Sequence, residues 1–253
     1  MADTGGQDPT SSPSAALARG VRRGVVALGD SITRGRGGAP ALGVHPQSWA
    51  IWLAEALELP LTNLGVDGAT APDVLREQVP RLAGPYDLAT LHVGANDARS
   101  VTFDEVAFDA AVGAVMDALA AAADRLLVVT VPLDLGRPRA GTDVQVVNAV
   151  LRRHAARHGA VVCGLEDFRG PRHVLPDAVH PTSPGMVEMA ERAADALAAA
   201  GVPVPRPPSQ LPHAQERTDL PARTRYAAWY AKQVARDRRR QVVERWQYRH
   251  GPP

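Results

Sequence analysis

Cysteine is nearly missing from this chain. Cys163 is the only one in 253 residues, which excludes an intramolecular disulfide framework and any cysteine-based zinc cluster within one chain. Uninterrupted apolar runs are missing as well: no window reaches the roughly 18 apolar residues, free of charge, of a membrane-spanning helix. Residues 1–20 are rich in Gly, Ser, Pro and Ala but lack an apolar stretch behind a basic one, so they read as a disordered leader and not as a secretory signal. A reduced, cytoplasmic setting is the expectation. No internal repeat suggests a solenoid, no G-x-S-x-G elbow is present, and the dense His/Asp spacings of metal clusters are lacking.

What is present is an ordinary globular composition, 45% hydrophobic and 22% charged, in a length that suits one α/β domain with an appendage. The formal net charge of +1 hides an asymmetry. Residues 1–204 hold 17 Lys and Arg against 23 Asp and Glu, and residues 205–253 hold 11 against 4, so an acidic body of net −6 precedes a basic tail of net +7.

Within the body, short β-branched runs alternate with longer helical patterns, the signature of a parallel sheet covered by helices. The expected strands are Val25–Leu28, Leu61–Leu64, Leu88–Val93, Leu126–Val131 and Ala160–Leu165; the expected helices are Ser48–Leu59, Pro72–Leu82, Phe103–Ala123, Asp143–His158 and Pro184–Ala200. This pattern predicts a doubly wound three-layer α/β/α fold with a five-stranded parallel sheet, whose ligands bind outside the carboxyl ends of the strands. Six prolines between Pro203 and Pro221 point to an extended linker or strap over residues 202–221. Residues 222–253 then form a basic helical tail with Tyr226, Trp229, Tyr230, Val234, Val242 and Trp246 among many arginines. The domain itself is placed at residues 21–201.

The first strand runs into Gly29-Asp30-Ser31-Ile32-Thr33 and presents a hydroxyl at a strand's carboxyl end. A serine there could equally be a helix cap. Far along the chain Asp177 and His180 stand three residues apart ahead of the last body helix, and one such turn can supply both a base for a serine and a carboxylate to orient that base. Oxyanion donors can come from two loops that follow strands, Asn63 through Gly68 and Gly94-Ala95-Asn96-Asp97. Alone, each loop is only a set of common turn residues.

Together, Gly29-Asp30-Ser31, Asn63 through Gly68, Gly94-x-Asn96-Asp97 and Asp177-x-x-His180 resemble, in order, the four blocks of the SGNH, or GDSL-type, hydrolases, over about Val25 to Ala200. The resemblance implies a flavodoxin-like SGNH hydrolase fold carrying a C-terminal basic helical extension. It implies Ser31 as nucleophile, His180 as general base and then acid, and Asp177 as its orienting carboxylate. The Ser31 and Gly68 backbone N–H groups and the Asn96 side chain would bind the oxyanion, with Asp30 and Asp97 as structural supports. The last block often reads Asp-Gly-x-His in that family and has Ala178 here.

The implied activity is cofactor-free hydrolysis of a carboxylic ester, by a short-chain acyl esterase or deacetylase or a lipase-like enzyme. An acyltransferase with the same triad is the alternative, and a metal-dependent phosphoesterase using Asp30, Asn96, Asp97, Asp177 and His180 is the rival from another class. Arg34, Arg36 and Trp49 are candidate substrate-binding residues on a Gly/Pro-rich loop, Gly35 to Gln47; solvated arginines are the plain reading. His45 and His92 are assigned to packing, and Cys163 to the core. No nucleic-acid motif surrounds Arg238, Arg239 and Arg240, so the tail is expected to dock on its own domain or a second subunit, with targeting as the alternative.

Overall fold

The computed structural model describes residues 23–37 and 42–250, with side chains as far as Val242. The expected leader lies outside the described residues, as does the Trp246 side chain.

The apolar runs become one parallel sheet: β1 (Val25–Gly29), β2 (Leu61–Asn63), β3 (Leu88–His92), β4 (Leu126–Val129) and β5 (Val161–Cys163). Their order is β2-β1-β3-β4-β5. β1 and β3, at the centre, are buried at every residue, as expected when both faces of a parallel sheet are covered. Side chains alternate across it. Val26 and Leu28 of β1 join the core under α4 (Glu105–Ala122) and α5 (Asp143–Arg157). Val25 and Ala27 join the opposite core, with α2 (Trp49–Ala56) and α6 (Ser183–Ala199). That division makes the three layers.

The chain reverses direction across the sheet between β1 and β3, whose registers pair Gly29 with His92. At such a switch point the loops leaving two neighbouring strands open in opposite directions and leave a crevice at their carboxyl ends. The loop after β1 carries Ser31 and the loop after β3 carries Asn96.

One expected element differs in kind. Pro72–Leu82 is not a single helix but α3 (Ala71–Asp73), a wide π turn (Val74–Gln78) and a 3₁₀ turn (Val79–Arg81). Pro80 is the physical reason, because its ring has no N–H to donate and would collide with the carbonyl four residues back in a regular α-helix. Thr70 starts the segment with a reciprocal capping box, Thr70 Oγ1 accepting from Asp73 N–H and the Asp73 carboxylate accepting from Thr70 N–H.

After α6, residues 202–219 run as a strap over the face of α2 and α6. Leu211 and Ala214 are buried in that core, and Arg206 N–H reaches Ala56 O at 3.4 Å. The strap also crosses the segment before α2, with His45 N–H donating to His213 O (3.0 Å) and Arg217 N–H to Leu42 O (2.6 Å). The last described element is α7 (Leu220–His250). Among the described residues, no helix is long and apolar enough to cross a membrane.

Candidate active site

α1 (Ser31–Arg34) is one turn long and starts where β1 stops. Asp30 caps it, Oδ1 accepting from Ile32 N–H at 2.9 Å. The strand-to-helix turn is tight: a Cβ on Gly29 would lie 2.2 Å from His92 O and 2.5 Å from Thr33 Oγ1, so only glycine fits there. At the far end of α1, Thr33 O accepts from Ser48 Oγ (2.6 Å) and Asn63 Nδ2 (2.7 Å). Ser48 in turn caps α2.

Ser31 Oγ lies 3.1 Å from His180 Nε2, although 149 residues separate them. His180 Nδ1 lies 2.8 Å from Asp177 Oδ2. The other carboxylate oxygen, Oδ1, accepts from the backbone N–H groups of Val179 (2.9 Å) and His180 (3.0 Å), which locks the Asp-x-x-His turn. Burial works against the Asp177 charge, but those hydrogen bonds from His180 and the backbone outweigh it and hold the carboxyl below its usual range.

A short antiparallel bridge, Val174 with Pro181, supports this loop. Leu175 N–H donates to His180 O at 2.9 Å and Thr182 N–H to His173 O at 2.8 Å. Gly37, in the loop after α1, packs on it so closely that a Cβ would stand 2.8 Å from His180 Cβ.

Asn96 points its Nδ2 at Ala69 O (3.0 Å) and, at 3.4 Å, at Asp30 Oδ2. Gly68 is exposed, and a Cβ there would meet no atom within 4 Å. Asp97 Oδ1 accepts from Ala71 N–H at 3.0 Å, while its Oδ2 is buried with no partner among the described residues. Burial pushes both Asp30 and Asp97 up to about 6. His92 is buried against Asp30, 3.9 Å from Nδ1 to Oδ1, and burial lowers it to about 4, so its ring is neutral at pH 7.

Trp49 is the sequence expectation that fails. It is fully buried, edge-on to His92 at 6.2 Å between ring centres, and lines no surface. The Ser48 cap sets α2 directly beneath the Ser31 turn, which sends the first indole of the helix into the core. Arg34 and Arg36 stay exposed, and both pair with Asp67 Oδ2, at 3.2 and 2.6 Å, so that they tie the Ser31 turn to the Gly68 loop. Two groups that hold the site escaped the sequence reading: Ser48, and Gln78, whose carboxamide bonds both polar groups of Gly29. Each looked like an ordinary polar residue of a helix. Among the described residues, no cluster of three His, Cys, Asp or Glu side chains could hold a metal ion.

A serine, a histidine and an aspartate in line on strand-end loops, over a 2-1-3-4-5 parallel sheet, define the SGNH class of hydrolase folds. The model of the GDSL-like Lipase/Acylhydrolase family matches residues 27–188, and the chain belongs to that family. Solved structures share the fold at low identity. LAE5, an alpha/beta hydrolase enzyme from the metagenome of Lake Arreo, Spain, is 20% identical, covers 71% of this chain and 95% of its own, and superposes with a TM-score of 0.57. TesA is 18% identical over 68% of this chain and 97% of its own, TM-score 0.57. Axe2, an acetylxylan esterase from Geobacillus stearothermophilus, is 14% identical over 69% and 94%, TM-score 0.55. No curated protein matches the sequence.

Proposed function

We propose that the protein is a serine esterase that hydrolyses small carboxylic esters through an acyl-enzyme on Ser31. The observation that carries this reading is the continuous line Ser31 Oγ, His180, Asp177, with contacts of 3.1 and 2.8 Å. Ser31 Oγ attacks the ester carbonyl as His180 Nε2 takes its proton. Asp177, ionised at neutral pH, keeps the Nδ1 proton in place and stabilises the imidazolium. The oxyanion is met by the Ser31 and Gly68 N–H groups and by Asn96, whose longer bond, to Asp30, is the one that yields. His180 then protonates the leaving alcohol, activates water, and the acyl-enzyme is hydrolysed. Asp30 and Asp97 brace the nucleophile turn and the Asn96 loop.

Arg34 and Arg36 offer exposed positive charge beside Gly68 to a polar or anionic ester. A reducing compartment such as the cytoplasm suits a chain whose single thiol is buried and pushed up to about 12.

The helix α7 docks on its own domain, a reading supported by two tyrosine hydroxyls one turn apart. Tyr226 donates to Pro171 O, and Tyr230 to Val174 O at 3.1 Å. Both carbonyls belong to the segment that bridges to Pro181, so α7 braces the His180 loop from behind. Replacing both tyrosines by phenylalanine is expected to lower stability by about 1–2 kcal/mol in urea titrations; an unchanged midpoint would leave the tail free for recruitment.

The decisive experiment is fluorophosphonate labelling with p-nitrophenyl acetate turnover. Wild type should be labelled at Ser31 and inactivated, and Ser31→Ala should lose turnover by on the order of 10⁶-fold. Turnover surviving in Ser31→Ala would overturn the assignment; acyl transfer to an added alcohol in preference to water would make the protein an acyltransferase.

A further inference from the structure

β2 pairs with β1 only as far as Asn63, opposite Ala27. Beyond it the chain turns away, with Leu64 N–H donating to Ala27 O (2.8 Å) and Val66 N–H to Gly29 O (3.1 Å). Gly29, the last residue before the Ser31 turn, thus has no paired strand residue on that side, where Val66 N–H reaches its carbonyl alone. The Gln78 side chain fills the place. Its Oε1 accepts from Gly29 N–H at 2.9 Å and its Nε2 donates to Gly29 O at 2.7 Å. One residue donating and accepting on the same side is the pattern of a parallel ladder, and a carboxamide copies a peptide group in both roles at any pH.

Gln78 is fully buried at the end of the π turn, where Val79 N–H reaches back to Val74 O. Burying a carboxamide costs free energy unless it is fully bonded, so a polar side chain in this place needs a reason that a packed leucine would not supply. The bonds go to the residue on which the whole turn pivots. Asp30, next in the chain, caps α1 and carries the Asn96 contact, and Ser31 follows it.

We propose that Gln78 is a positioning residue for Ser31: its carboxamide extends the β2 ladder past the end of β2 and sets where Gly29 delivers the nucleophile relative to His180. The inference rests on Ser31 being the nucleophile. Gln78 touches no reacting atom. Its effect is on the approach of Ser31 Oγ to the ester and to Nε2, a geometry in which a displacement of about 1 Å can cost on the order of 100-fold in rate.

Gln78→Leu keeps the volume and removes both bonds; Gln78→Glu keeps the shape but can copy both roles only when its carboxyl is protonated. With p-nitrophenyl acetate on the full chain, Gln78→Leu should lower kcat about 10- to 100-fold with KM within about twofold of wild type. For Gln78→Glu, the readout is its kcat divided by that of wild type at each pH, so that pH effects common to both proteins cancel. Asp30 and Asp97 in the adjoining loops, His92 in register with Gly29, and Asp73 and Glu77 on the same segment are present in both proteins.

That ratio should rise several-fold from pH 8 to pH 6 as the introduced carboxyl regains its proton. A purely structural Gln78 would lower the melting temperature of both variants and leave kcat per labelled active site unchanged, which would overturn the proposal. So would a ratio that stays flat with pH, and this arm remains readable if Gln78→Leu does not fold. Active Gln78 variants beside a dead Ser31→Ala refute the positioning role alone, whereas an active Ser31→Ala refutes the nucleophile assignment beneath it.

Discussion

The two sides of the site are built in different ways. The nucleophile side is interior: Asp30, Ser48, Gln78, His92 and Asp97 are buried, and backbone groups of the Ser31 turn are tied down by side chains from other segments of the chain. The acid-base side is a surface loop, held by a two-residue bridge, a cap and two tyrosine hydroxyls. Their carboxylates respond in opposite directions. Asp30 and Asp97 are buried, and burial outweighs the hydrogen bonds they accept and raises both to about 6; Asp177 is only half-buried, and its three hydrogen bonds outweigh burial and lower it. A carboxylate thus keeps its charge where donors converge on it and burial is incomplete, and in this site that happens where the proposed chemistry requires an anion.

The largest test of that contrast is Asp177→Asn. The amide oxygen still accepts from Val179 and His180 N–H, so the turn should survive, but the amide cannot hold the Nδ1 proton of His180 and stabilise its cation. A fall of on the order of 10⁴ in kcat with near-normal stability is expected. Near-wild-type turnover measured with p-nitrophenyl acetate would show that the loop acts without its anion.

Asp97→Asn probes the other side, and stability should report it before activity does. In the folded protein Asp97 binds its proton up to about pH 6, against 3.8 when unfolded. The folded state therefore holds the extra proton. This contribution is fully present below pH 3.8 and lost as the pH rises through 6, and it is worth about 3 kcal/mol at roughly 1.36 kcal/mol per unit. The substituted amide can accept from Ala71 N–H and has no charge to bury, so urea midpoints of the variant should change less than wild type between about pH 4 and 7. Equal slopes would mean that the orphan Oδ2 is solvated.

The site was legible in the sequence where local spacing carries the geometry. Asp177 and His180 share one turn, and Gly29-Asp30-Ser31 is a strand end, so each block shows its place in the candidate site within a few residues. The same holds for the sheet, whose apolar runs match the strands to within a few residues. What failed needed knowledge of which way a side chain faces. Trp49 looked like a pocket wall because it follows a loop, yet the Ser48 cap turns it inward. Gln78 reads as a solvent-facing residue of an amphipathic helix; only the π turn before Pro80 and the early end of β2 reveal its partner, 49 residues away in sequence.

Ala178 gives the finest comparison of the two sides. The nucleophile side meets its left-handed positions with glycine, at Gly35 and Gly37 (φ +109° and +106°), whereas the acid-base turn places an alanine at φ +55°. An L-residue in that region costs about 1–2 kcal/mol, and the loop keeps the conformation because Ala178 N–H bonds Leu175 O at 2.9 Å and Gly136 N–H bonds Ala178 O at 2.8 Å. Glycine would relieve the strain but gives back about 0.4–1 kcal/mol through the freer unfolded chain. Ala178→Gly should therefore stabilise the protein by about 0.5 kcal/mol in urea titration and leave kcat unchanged, since the Asp177 and His180 side chains keep their bonds. A destabilised variant would mean that the side chain of Ala178, which with Tyr230 lines a cavity of about 200 Å³, contributes more than the backbone strain costs. The looser side of the site would then depend on side-chain packing as much as the buried side does.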